Sequence, residues 1–134
     1  MNRAQRIISL FEEAFEDSKF GDDSGRQWRV KSVVSHAEAN KKKYYHAKIP
    51  IHKLTHDLSW WDKQHSADPK KSTARMKASD TSYPLLVLKD KGHLSVADGL
   101  NRLKKATSIE GKTHVSAYIV PKKHIKHLAL PKEK

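Results

Sequence analysis

The chain has 134 residues, enough for one domain with a modest core. It carries 27 Lys and Arg residues against 15 Asp and Glu residues, a formal net charge of +12, which favours polyanionic partners and nucleic acid first. The lack of cysteine excludes disulfides and thiolate chemistry, and no apolar run reaches the length of a membrane span or forms a signal peptide. We therefore predict a single cytoplasmic domain over residues 1–134, with no membrane partner.

The amino-terminal part of the chain is expected to start with a helix. Residues 1–20 contain apolar side chains at helical spacing, which predicts an appended surface helix. The polar, turn-rich residues 17–30 predict a loop. Residues 29–45 show a short β-branched run followed by a basic cluster, and residues 46–51 predict a short strand closed by Pro50.

The middle of the chain has the pattern of two helices. Residues 52–66 predict a short helix with one apolar side, formed by Leu54, Leu58 and Trp61. Asp68 and Pro69 predict the start of a second helix over residues 69–80, because proline suits the first helical turn.

The carboxyl-terminal half alternates between strands and a helix. Residues 83–88 are nearly all apolar and predict a buried strand, and residues 93–98 follow as a second strand after the turn KDKG. A helix is predicted over residues 99–110 and a third strand over residues 113–120, followed by a basic, partly disordered tail over residues 121–134. This order predicts an α+β domain.

The junction between the second strand and the helix has the composition of an anion site. In HLSVADGLNRLKKA, residues 93–106, Asp98 and Gly99 precede the helix and Arg102 lies in its first turn. Free N–H groups and the helix dipole favour an anion there, and the arginine fork suits phosphate oxygens. The structural alternative is that Asp98 caps the helix, Arg102 pairs with a carboxylate and Asn101 faces water.

These pieces in this order resemble the superfamily of the ParB amino-terminal domain and sulfiredoxin. The matching features are the IPIHKL lead-in, the YPLLVL strand, a D/G-G-x-x-R box opening a helix, and a closing strand of the form VxAxxV, together covering residues 48–120. The resemblance implies a small mixed sheet with flanking helices. It also implies that Arg102 and the backbone amides of Gly99, Leu100 and Asn101 hold the phosphate of DNA or a nucleotide.

The chain also departs from both branches of that superfamily. Leu100 and Asn101 stand where the sulfiredoxin box has cysteine and histidine, so its thiolate chemistry is not expected here. Partition ParB proteins carry further DNA-binding and dimerisation domains that are not expected after residue 120. The chain therefore resembles the stand-alone ParB-like nucleases of phages and plasmids.

The predicted activity is a nuclease or nucleoside triphosphatase, with catalysis itself left open. Asp98 lies beside the predicted phosphate site and is the catalytic candidate together with Arg102, with Mg²⁺ or Mn²⁺ and ATP or CTP as possible cofactors. His52 and His56 stand four residues apart, but no third ligand is near, so no metal site is predicted. The alternatives are a non-catalytic regulator that binds DNA or a nucleotide, and a phage effector that binds a host protein.

Basic clusters mark the predicted nucleic-acid contacts. One cluster joins three lysines to an aromatic face on which bases can stack, a second runs along the helix after Pro69, and a third follows Arg102 by one turn. The predicted contact residues are Lys41, Lys42, Lys43, Tyr44, Lys70, Lys71, Arg75, Lys104 and Lys105. Charge runs of this kind also occur as solvated faces.

Overall fold

The computed structural model describes residues 18–22, 24–54 and 58–131. The predicted amino-terminal helix falls on residues 1–20, of which 1–17 lie outside the described residues. The described strands are β1 (Lys19–Gly21), β2 (Gln27–Arg29), β3 (Tyr45–Pro50), β4 (Leu85–Asp90), β5 (His93–Asp98) and β6 (His114–Pro121). The described α-helices are α1 (Val30–Ala39), α2 (Lys41–Tyr44), α3 (Leu58–Ala67), α4 (Pro69–Ala78) and α5 (Leu100–Ser108).

Four of the strands form a mixed sheet in the order β3-β6-β4-β5. Strands β4 and β6 are parallel neighbours, whereas the pairs β3–β6 and β4–β5 are antiparallel. Helix α5 provides the crossover that a parallel pair requires. The α+β class with a small mixed sheet and flanking helices is therefore confirmed.

The turn between β4 and β5 explains the register of that hairpin. Lys91 and Gly92 both have positive φ, 51° and 81°, as the two central residues of a type I′ turn require. The predicted hairpin is thus confirmed, but its turn is shorter than KDKG, because Lys89 and Asp90 belong to β4 and pair with β5.

Strand β4 is buried on both faces, which accounts for its continuous apolar sequence. Leu86 and Leu88 face a core shared with α1, whereas Leu85 and Val87 face a core shared with α5. The sheet is therefore covered on both sides, and α3 and α4 pack with α5 on the second of them.

Helix α1 and the β1–β2 hairpin differ from the sequence predictions. The valines of the β-branched run lie on a helix, because the apolar side chains at Val30, Val33, Val34 and Ala37 have helical spacing and are all buried. The predicted loop contains the hairpin, in which the ring of Phe20 stacks on that of Trp28 at 5.5 Å. Strands of three residues carry too little alternation to be recognised from sequence.

The two helices of the middle segment agree with the prediction at one boundary. The Asp68 side chain accepts a hydrogen bond from the Lys71 backbone N–H, and α4 begins at Pro69 as predicted. The preceding helix is described over Leu58–Ala67, and the first two residues of its predicted range, His52 and Lys53, lie in a 3₁₀ turn instead. His56, one half of the histidine pair, lies outside the described residues.

The predicted disordered tail is instead packed against the hairpin as far as Leu130. Two 3₁₀ turns, Lys122–His124 and Lys126–Leu128, follow β6 and place Ile125 in the core with no exposed surface. The Trp28 indole N–H donates to the Ile125 carbonyl at 2.7 Å, and the Leu130 N–H donates to the Gln27 carbonyl at 2.8 Å. The apolar side chains among the lysines explain this docking.

A Trp28→Phe variant tests the docking of this carboxyl-terminal segment. The change removes the indole N–H from the Ile125 carbonyl, which keeps only the Leu128 N–H at 3.0 Å, and it leaves a smaller ring in the core. We therefore expect the free energy of unfolding to fall by about 1.5 kcal/mol. Urea unfolding measures the difference. A change below about 0.5 kcal/mol, typical of surface sites, would contradict the packed arrangement.

No helix within the described ranges is both long enough and apolar enough to cross a bilayer.

Candidate functional site

The strand-to-helix junction depends on Gly99, which has φ of 109° immediately before α5. A Cβ atom at this position would lie 2.7 Å from Cδ2 of Leu85 and 2.9 Å from Nη2 of Arg102. Both the backbone angle and the space therefore favour glycine. The close approach brings the Arg102 guanidinium directly over the start of its own helix.

Arg102 is held between two acceptors at this junction. Its Nη2 donates to Oδ2 of Asp98 at 2.9 Å, and its Nη1 donates to the carbonyl of Pro84. The side chains of Arg102 and Asp98 are only 11% and 9% exposed. The pairing with a carboxylate that the structural alternative named is thus present, and Asp98 is the partner.

The Asp98 carboxylate lies just before α5, whose N-cap residue is Gly99, so Asp98 is not the N-cap that the structural alternative named. It accepts from the Gly99 backbone N–H as well as from Arg102. Burial raises the pKa of Asp98 to about 6, although Arg102 and the Gly99 N–H act in the opposite direction. A phosphate bound to the same donors would compete with Asp98, and the carboxyl can exchange a proton near neutral pH.

Asn101 connects α5 to α3. Its Oδ1 accepts from the indole N–H of Trp61 at 2.8 Å, and Trp61 is buried. The His65 ring stacks on Trp61 at 4.7 Å, and the Lys104 ammonium lies 4.8 Å from the centre of the Trp61 ring. The Asn101 side chain therefore makes an internal hydrogen bond instead of facing water. Its neighbour Leu100 is half-buried.

The second and third basic clusters come together on one side of the sheet, because α4 packs against α5. The Lys105 ammonium donates to the carbonyls of Lys77 and Ser79 at the end of α4, and Lys104 pairs with Asp62 at 3.5 Å. Lys70, Lys71 and Arg75 are exposed on α4. An open groove runs beside α4 and is lined by His65, Pro69, Lys70, Thr73, Ala74 and Lys77.

The first basic cluster lies apart from the others, on the α1 side of the sheet. Lys41, Lys42 and Lys43 are exposed on α2, but the Tyr44 ring is 2% exposed and belongs to the core. The buried ring offers no open face for base stacking in this conformation. The structure thus divides the predicted nucleic-acid residues between two surfaces.

The Tyr44 hydroxyl joins two histidines that are distant in sequence. It lies 3.2 Å from Nε2 of His36 and 3.1 Å from Nδ1 of His124, and the ring of His127 lies 5.7 Å from that of His36. Burial lowers the pKa of His36, and the charges of His127, His124 and Lys43 lower it further. Within the described ranges, no group of three His, Asp or Glu side chains has the arrangement of a metal site.

Comparison with known proteins gives no relative for this chain. No protein-family model, no curated protein and no solved structure matches it. The resemblance to the ParB and sulfiredoxin superfamily stays a prediction from the residues.

Some residues that build these sites gave no signal in the sequence. The Pro84 carbonyl is a backbone group, and the sequence predicted Trp61 only as part of the apolar side of a helix. The histidine cluster joins positions that are 80 residues apart, from Tyr44 to His124, so no local spacing could reveal it. The i, i+4 spacing of Asp98 and Arg102 on the approach to a helix was a usable signal for their pairing.

Proposed function

We propose that this chain is a ParB-like domain that binds the phosphate backbone of nucleic acid through α3, α4 and α5. One observation carries the proposal: these three helices contain eight Lys and Arg residues and a single Asp, and seven of the eight cations lie outside the buried pair of Arg102 and Asp98. A basic layer of this kind attracts phosphates and releases their counterions.

The exposed cations of α4 are available for such contacts. Within the described part of the chain, no ion pair joins Lys70, Lys71, Arg75 or Lys77 to a carboxylate. Lys70 and Lys77 border the groove together with His65. A phosphate chain lying along this groove would meet several cations without breaking an ion pair among the described residues.

The Gly99–Arg102 box has a positioning role in this proposal. Arg102 ties the start of α5 to the Pro84 carbonyl, and Asn101 ties α5 to Trp61 of α3. Lys105 ties α5 to the end of α4. The box and its neighbours therefore hold the three basic helices in one arrangement, which limits the entropy lost when a ligand binds.

The arrangement favours binding without catalysis. The candidate catalytic carboxylate, Asp98, is committed to Arg102 and to the Gly99 N–H. The ParB-like fold is proposed on the same chain segment, since a hairpin, a box at the start of α5 and a parallel return strand follow one another there. Hydrolysis of DNA, with Mg²⁺ or Mn²⁺ and with ATP or CTP, is the alternative activity.

Neutralising α4 tests the binding surface. The triple variant Lys70→Gln, Lys71→Gln, Lys77→Gln is expected to bind a duplex of about 20 base pairs at least tenfold more weakly at about 50 mM salt. The slope of log K against log salt should become shallower by about 0.9 for each phosphate that the variant no longer neutralises. Fluorescence anisotropy of labelled DNA gives both quantities.

A matched control removes the same charge elsewhere. Lys48, Lys53 and Lys89 are exposed outside the three helices, and their triple change to Gln should weaken binding less than the α4 variant. Equal losses of affinity in both variants would mean that only net charge matters, and the proposed surface would be wrong. Incubation with supercoiled plasmid, Mg²⁺ or Mn²⁺, and ATP or CTP addresses the alternative, since nicking that disappears in Asp98→Asn would indicate a nuclease.

A further inference from the structure

A cluster of histidines forms a second basic site on the α1 side of the sheet. It brings together His36 from α1, Tyr44 from α2, and His124 and His127 from the two carboxyl-terminal turns. Two ring nitrogens approach one phenol oxygen at 3.2 and 3.1 Å. His124 is half-buried and His127 is exposed, so the cluster is accessible from solvent.

The charges around this cluster are positive. The positive charges of His127, His124 and Lys43 repel a proton on His36. Those of Lys43 and Lys123 do the same for His124. The Lys43 ammonium lies 5.7 Å from the centre of the Tyr44 ring. Burial lowers the pKa of His124 as it does that of His36, and the neighbouring lysines add to the effect. An anion would relieve this repulsion, whereas a metal cation would increase it.

The hydrogen bonds of Tyr44 also favour an anion. With neutral rings, one histidine can donate to the hydroxyl and the hydroxyl can donate to the other histidine. When both rings carry a second proton, both must donate to the phenol oxygen, and the phenol proton turns to another acceptor. The phenol oxygen stands between the two ring nitrogens, in the place that a shared metal ion would need.

We propose that His36, His124, His127 and Lys43 form a binding site for a phosphate group, which binds as the histidines take up protons. Protonated imidazoles and an ammonium provide charge-assisted donors for the phosphate oxygens. The site lies on the opposite side of the sheet from α5 and uses none of the lysines of α4. It therefore stands independently of the nucleic-acid surface proposed above.

Sulfate is the suitable probe, because its charge is constant over the pH range in which histidine titrates. Binding to the protonated cluster should raise the affinity for sulfate as the pH falls from about 7.5 to about 5.5. For each proton taken up with the anion, the affinity should rise by up to about tenfold per pH unit. By the same linkage, sulfate should raise the pKa of His36 and of His124.

The measurement is a sulfate titration of the full chain followed by NMR of the histidine ring Cε1–H signals. We expect the signals of the cluster to shift and the affinity to increase toward acid pH. His127→Gln and His124→Gln should each reduce the affinity at about pH 5.5 by about fivefold or more. His114→Gln should leave the affinity unchanged, because His114 is exposed at the opposite end of β6.

The outcomes separate the proposal from its alternatives. Sulfate binding that is equal at both pH values, or equal in His127→Gln, His124→Gln and the full chain, would overturn the site. Dispersed signals from residues outside the cluster show that the fold is intact at the lower pH. Displacement of sulfate by a DNA duplex would identify a phosphodiester as the ligand, and displacement by inorganic phosphate alone would identify a free phosphate; both support the site.

Discussion

Replacing Arg102 by alanine is expected to lower the free energy of unfolding by about 3 kcal/mol at about pH 8, because it leaves a buried carboxylate without its partner. Arg102 and Asp98 are 11% and 9% exposed, so water replaces the missing interaction poorly. The Pro84 carbonyl loses a donor in the same change. Urea unfolding followed by circular dichroism measures the difference between variant and parent.

The effect of Arg102→Ala should shrink at lower pH. In the parent chain the pKa of Asp98 is raised from 3.8 to about 6, so the folded state holds this proton more tightly than the unfolded state. Asp98 therefore contributes stability that is present below about pH 4 and lost as the pH rises through about 6. Without Arg102 the pKa of Asp98 rises further, because a group that lowers it is gone. At about pH 5 the Asp98 carboxyl of the variant is therefore neutral, so the variant buries less unpaired charge than it does at about pH 8.

The control for this prediction is Asp98→Asn, which keeps the shape of the side chain and removes its titration. In Asp98→Asn, titration of residue 98 should no longer contribute to any change in the free energy of unfolding between about pH 4 and about pH 6. If Arg102→Ala costs as much at about pH 5 as at about pH 8, the buried ion pair is not the cause. Any loss of DNA binding in Arg102→Ala must be compared with its loss of folded protein.

The second large effect is expected from Gly99→Ala, which should lower the free energy of unfolding by about 3 kcal/mol. Part of the cost comes from φ of 109°, which disfavours any side chain with a Cβ atom. The rest comes from the approach of the new methyl group to Leu85 at 2.7 Å and to Arg102 at 2.9 Å. Leu85 is buried, and Arg102 is held by Asp98 and the Pro84 carbonyl, so neither side chain can move without cost.

Gly92→Ala separates the two causes. Gly92 has φ of 81°, and a Cβ atom there would have no neighbour within 4 Å. Gly92→Ala should therefore lower the free energy of unfolding only through the backbone angle, by about 1 to 2 kcal/mol. Equal losses of stability in both variants, measured by urea unfolding, would show that the space around Gly99 is not restricted. The double variant Gly99→Ala, Arg102→Ala should lose less than the two single changes combined, because both disturb the same interactions.

The sequence predicted the β4–β5 hairpin and the start of α4 well, because local chemistry determines them. Gly92 suits a turn with positive φ, and Pro69 after the capping Asp68 suits the start of a helix. The β1–β2 hairpin and the packed carboxyl-terminal turns, which the sequence did not predict, depend on distant partners. Trp28 of β2 is buried in a core that includes Ile125, nearly a hundred residues later, and donates to its carbonyl.

The sequence predicted where the candidate site lies in the fold, but it did not predict which side chains pair there. The box at residues 98–102 lies at a strand-to-helix junction as expected, and the phosphate there remains a prediction. The structure adds that Asp98 and Arg102 satisfy each other and that Asn101 is bound to Trp61. These pairings depend on how deeply each side chain is buried, which a sequence pattern does not specify.

The contact between Trp28 and Ile125 has a consequence for the speed of folding. The two residues are separated by 97 positions, so their contact closes a loop far longer than that of the β4–β5 hairpin. Loop closure of this length carries an entropic barrier that local contacts do not meet. We therefore expect the hairpin and α5 to form before the carboxyl-terminal turns dock. Because the histidine cluster depends on those turns, we expect it to be assembled late.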